Sequence, residues 1–117
     1  MLRTLTFALV IAVARAAQPT RDMLIECIFD APYSADQLTL TQQEFATLDA
    51  RLRESHMIAK NLVKMGYASV ATTWGEFKNP TGHMDRMDVD GMLESLTHGK
   101  SPARINTATK YMYRHLC

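Results

Sequence analysis

Leu40 through Phe77 is the longest run in this chain whose apolar residues keep one spacing, and it limits the fold more than any other feature. At its head, Thr41 and Glu44 stand three residues apart. At that separation a cap hydroxyl and the side chain of the third helical residue satisfy each other's backbone N–H groups. Leu40 and Phe45 flank this box where a hydrophobic staple packs, so two independent start signals predict a helix from residue 42. Phe45, Leu48, Leu52, Ala59, Leu62 and Val63 then recur at three, four or a whole number of turns, as one buried helix face requires.

Tyr67, Val70, Ala71, Trp74 and Phe77 carry nearly the same period past Gly66. Glycine favours the position just beyond a helix end and costs about 1 kcal/mol inside one, so a stop at Gly66 is the default reading. Gly75 and the Thr72-Thr73 pair also weaken a continuation, and a strand over Tyr67–Thr73 is a minor alternative. One bent helix from 42 to about 77 would be on the order of 54 Å long, more than so small a domain buries along its length. A continuous helix would therefore need a partner.

The rest of the chain punctuates itself. Pro19 stops any helix leaving the N-terminal segment. Thr20 or Asp22 then caps a short helix through Asp30, with Met23, Leu24, Cys27 and Ile28 on one face, although Leu24–Phe29 alone also suits a strand. Ala31-Pro32 ends that element, and residues 31–40 form a connector. Asn79-Pro80 and Thr81-Gly82 mark residues 78–87 as a loop. Asp88 or Asp90 reads as the cap of a helix through Met92, Leu93 and Leu96, closed by His98-Gly99-Lys100. Ser101-Pro102 opens a last helix with the stripe Ile105, Ala108, Met112 and Leu116.

With 117 residues, 47% of them apolar, one domain can build a core without obligatory staples. The expected fold is all-α: a small irregular helical bundle or hairpin of about four to five helices over residues 18–117, with an apolar N-terminal helix and a long central helix from about residue 42. The eight methionines serve best as core filler.

Residues 1–17 carry a second message. Arg3 precedes an apolar run from Leu5 to Ala14, and Ala14-Arg15-Ala16 places small residues where a signal peptidase cuts. No acid occurs before Asp22, and Arg3, Arg15 and Arg21 recur with Thr4, Thr6 and Thr20, a composition that also suits an organellar import sequence. Ten apolar residues fall short of the roughly 20 that span a bilayer. A retained, partly inserted anchor or a helix buried on a partner subunit fits this length, beside a cleaved address.

Few chemistries survive inspection. Thirteen basic against twelve acidic residues give a net charge of +1, too small to attract nucleic acid. Asp85, Asp88 and Asp90 with Gly91 invite comparison with a calcium loop, but placing Gly91 at the invariant glycine puts the first ligand on Arg86 and the twelfth on Thr97. His56 has no histidine four residues away, and His115 with Cys117 is too sparse for zinc. No nucleophile, base and orienting acid share a recognised spacing, so no enzyme, cofactor or metal is expected. Arg51, Lys60 and Lys64 form one basic flank. Lys100, Arg104, Lys110, Arg114 and His115 form another, interleaved with Tyr111 and Tyr113, which resembles a weak lipid-headgroup or nucleic-acid patch but is better explained by the macrodipole of a helix C-terminus.

Cys27 and Cys117 are the only cysteines; they can form a single disulfide, or stay two free thiols if the compartment is reducing. Closing a loop of about 90 residues is worth about 4 kcal/mol on the chain-entropy model. Two functional expectations follow. The first is a non-catalytic accessory subunit of an organellar, mitochondrial membrane-associated complex that meets other protein subunits through Phe45, Leu48, Leu52, Trp74 and Phe77 and touches the membrane through residues 2–17. The second is a secreted small helical binding protein, cleaved after Ala16 and closed by Cys27–Cys117.

Overall fold

The computed structural model describes residues 18–67 and 69–117, and the expected apolar N-terminal helix lies outside them. The described chain is all-helical. Its helices are α1 Arg21–Ile28, α2 Gln42–Arg53, α3 His56–Lys64, α4 Val70–Phe77, α5 Arg86–Thr97 and α6 Pro102–Leu116.

The start of α2 follows the sequence closely. Thr41 Oγ1 accepts the Glu44 N–H at 3.1 Å, and Glu44 Oε1 accepts the Thr41 N–H at 2.9 Å. Leu40 and Phe45, on either side of this box, are both buried. The long helix does not follow. Its apolar period continues, but the backbone breaks twice, into α2, α3 and α4. At the first break Ser55 turns extended and its hydroxyl accepts the Ile58 N–H at 3.3 Å, because serine competes for backbone groups and is worth more as a cap than inside a helix. At the second, Gly66 adopts φ +87°. There the Tyr67 N–H donates to the Leu62 carbonyl at 2.9 Å and the Gly66 N–H to that of Val63 at 3.1 Å, the two bonds of a Schellman stop. Tyr67 and Leu62 are both buried, supplying the apolar pair that accompanies such a stop.

Two further boundaries differ from expectation. α1 ends at Ile28 rather than Asp30, and its Met23 points to solvent while Ile25 is buried. The cap of α5 is Asp85, with Asp88 as its reciprocal third residue: Asp85 Oδ1 accepts the Asp88 N–H at 3.0 Å and Asp88 Oδ2 accepts the Asp85 N–H at 2.9 Å. Asp90 instead pairs with Arg21 at 3.1 Å. The three aspartates read as calcium-like are thus one capping box and one ion pair.

A single antiparallel bridge joins the two boxed helix starts. Leu40 N–H donates to the Met84 carbonyl at 2.7 Å and Met84 N–H to that of Leu40 at 3.0 Å, with both side chains fully buried. The other organiser is α6, which packs against α1, α2 and α3. Tyr33 donates its hydroxyl to the Leu116 carbonyl at 2.6 Å. His115 Nε2 lies 2.7 Å from the Arg51 carbonyl, and since a carbonyl only accepts, that nitrogen carries the proton. Cys27 near the end of α1 and Cys117 just past α6 are joined by a disulfide, with Cα atoms 6.2 Å apart across 90 residues of sequence.

Candidate functional site

The expected interface residues do not form an exposed face. Phe45, Leu48 and Trp74 are core residues, Leu52 and Phe77 pack partly buried against that core, and the Phe45 and Trp74 rings lie 5.6 Å apart. The reason is the double break: α3 and α4 each pack back on α2, which gives Phe45, Leu48 and Trp74 partners within the chain, while Val63 of the same apolar period stays exposed. His56, expected at the apolar edge, is the exposed first residue of α3.

Beside these residues lies a polar knot in which Asp49 and Tyr67 are buried and Arg53 is exposed at the rim. Asp49 Oδ1 accepts the Tyr67 hydroxyl at 2.6 Å, Asp49 Oδ2 accepts Arg53 Nε at 2.9 Å, and the Arg53 guanidinium sits 5.4 Å from the centre of the Tyr67 ring. Burial, followed by the bond to Asp49, holds the Tyr67 hydroxyl far above its ordinary range. Every member is satisfied within the fold, so the knot fastens α2 to the turn after α3 and presents nothing reactive.

Several concavities remain, among them one of about 510 Å³ along Asp22, Glu26, Arg86 and Asp90. A groove of about 820 Å³ runs beside the disulfide, lined by Asp22, Glu26, Asp30 and Arg86; Arg86 pairs with Glu26 and lies over the Phe29 ring at 5.4 Å. A cavity of about 270 Å³ sits where the end of α3, the segment after α5 and the start of α6 converge. Met65, Ile105 and Ala108 give it apolar walls, while Lys64, Lys100 and Arg104 ring it. None of the chain's acids lines it, and none of the three cations makes an ion pair among the described residues.

The sequence explains this charge. Residues 55–75 and 95–117 contain Lys60, Lys64, Lys100, Arg104, Lys110 and Arg114 and no Asp or Glu. The fold packs α3 from the first stretch on α6 from the second, which brings Lys64 of one expected flank and Lys100 and Arg104 of the other around one cavity. Near neutrality in the whole chain conceals a strongly segregated distribution. The missed signal was the pair of acid-free stretches, visible in the sequence but meaningless until α3 met α6.

Among the described residues no cluster of His, Cys, Asp and Glu could hold a metal ion, and no helix is long and apolar enough to cross a membrane. The chain matches no family model, and comparison with curated proteins and with solved structures finds no match either.

Proposed function

We propose that this chain is a non-catalytic helical binding protein of an oxidising compartment, secreted behind a leader cleaved after Ala16. The observation that carries this reading is the Cys27–Cys117 disulfide, which ties the first described helix to the last. Disulfides persist in secreted and other oxidising settings and are rare in the cytosol. The leader-like pattern of residues 1–17 supports the same address. Binding, rather than partner scaffolding, is favoured because the aromatic anchors lie in the chain's own core while the cationic cavity stays open.

Intact mass of natively sourced protein tests it. The expected mass begins at Ala17 and is two hydrogens lighter than the reduced chain; a retained Met1 with two free thiols contradicts the proposal. The accessory-subunit reading keeps one favourable observation, the exposure of Met87 (82%), Leu38 (69%) and Val63 (67%). It moves the partner surface away from Phe45 and Trp74, and it requires that a retained N-terminal segment and a stoichiometric partner be found together on native purification.

A further inference from the structure

We infer that the cationic cavity binds a medium-chain carboxylate, with its charged end among Lys64, Lys100 and Arg104 and its chain along Met65, Ile105 and Ala108. This rests on the reading of the chain as a binding protein and names the class of ligand. Lys64 by itself would argue nothing, because it stands in the last turn of α3, where the macrodipole favours a cation; Lys100 lies three residues past the end of α5 and one before the cap of α6. Arg104 has no such explanation. It is the third residue of α6, at the end where the dipole and unpaired N–H groups favour negative charge, and that first turn holds no acid.

Three cations therefore surround one cavity, one of them at an electrostatically wrong position, with no acid on either stretch to offset them. An anion seated there relieves this repulsion. The apolar walls specify the remainder of the ligand, since a bare inorganic anion would leave Met65, Ile105 and Ala108 uncovered. At about 270 Å³ the cavity falls just below the span of about 300–1,000 Å³ typical of small-molecule sites. A short acyl chain fits that volume better than a long one.

The test titrates the disulfide-bonded chain with sodium decanoate, decanol and inorganic phosphate, following backbone amide resonances. Saturable decanoate shifts should be confined to the ends of α3 and α5 and the start of α6. Arg104→Glu should weaken binding about tenfold or more, while Arg104→Lys stays within about threefold. Arg104 is exposed, and an unchanged melting temperature shows that each variant is folded. No saturation, equal binding of decanol or phosphate, or indifference to Arg104→Glu overturns the proposal. So does binding to phosphatidylglycerol vesicles with free decanoate silent, which would make the face a membrane contact. The two proposals fail separately: free thiols would remove the compartment and leave the titration standing, whereas absent saturation with the disulfide intact would remove the ligand alone.

Discussion

Residues 40–45 and 84–89 are built to one plan and locked by different chemistry. Each has a buried apolar residue, Leu40 or Met84, then a cap, Thr41 or Asp85, then an acidic third helical residue, Glu44 or Asp88, then a buried staple, Phe45 or Val89. The bridge between Leu40 and Met84 sets the two starts side by side. The loops feeding them diverge. In the first, carboxylates gather the backbone: Asp36 accepts the N–H groups of Leu38 at 2.9 Å and Thr39 at 2.8 Å, and Glu44 accepts that of Ala35 at 2.7 Å. In the second, the neutral amide of Asn79 accepts the Thr81 N–H at 3.0 Å. A loop can thus be gathered by a neutral acceptor as well as by a charged one, and the carboxylate of Asp36 has no counterpart at Asn79.

The most disruptive way to break the pairing is to empty its centre. Leu40→Ala and Met84→Ala should each cost about 2–5 kcal/mol, because both side chains are fully buried and truncation adds a cavity to the lost transfer energy. Adjacent residues share a cavity, so the double variant should depart from additivity by about 0.5–3 kcal/mol. Urea unfolding measures all three. A loss below about 1 kcal/mol at either position would show that the bridge is incidental to the core.

A milder comparison removes the caps. Thr41→Ala and Asp85→Ala should each cost about 1 kcal/mol. Asp85 should lose more at low salt, since its charge also meets the helix dipole for about 0.3–1 kcal/mol. That excess should shrink as salt is added, while the Thr41 loss stays constant. Equal losses at every ionic strength would mean that the charge of Asp85 adds nothing to its hydrogen bond.

The same two starts show what could be read from sequence. Thr41, Glu44 and the flanking apolar pair form a Thr-x-x-Glu signal with few competitors, and the helix begins where it says. Asp85 and Asp88 serve the same purpose but lie among Asp90 and Gly91, where aspartate spacing also suggests a cap at 88 or 90, and only backbone geometry chooses among them. Gly66, Gly99 and Ser101-Pro102 were legible because each carries a backbone preference of its own. Ser55 was not, because the apolar period from Leu52 to Ala59 passes over it without a glycine or proline, and a serine inside a helical pattern is a weak interruption. The cationic cavity was hidden for a different reason: Lys64 and Arg104 are 40 positions apart, and only the packing of α3 on α6 makes them neighbours.

The smallest expected effect isolates the difference between the loops. Hydrogen bonds from the Thr39 and Leu38 N–H groups, then from the Thr39 hydroxyl, hold the Asp36 carboxyl well below its ordinary value of 3.8. A carboxyl depressed by folding contributes stability that is complete above its unfolded value. That contribution is lost as the pH falls through 3.8 toward the lower folded value, because the unfolded chain takes up the proton first. Acid should therefore weaken the first loop from about pH 5 downward. Asp36→Asn keeps an oxygen for the Leu38 and Thr39 N–H groups but cannot titrate, so its stability should fall less steeply over that window than that of the native chain. Asn79→Ala removes the acceptor of the Thr81 N–H and a donor to Asp88 Oδ2 at 3.2 Å, so it should lower stability while leaving the part of the acid slope that Asp36→Asn removes in place. Thermal unfolding of the three proteins between pH 3 and 7 reads both. Parallel curves for Asp36→Asn and the native chain would move the acid sensitivity elsewhere and erase the distinction between the two loops.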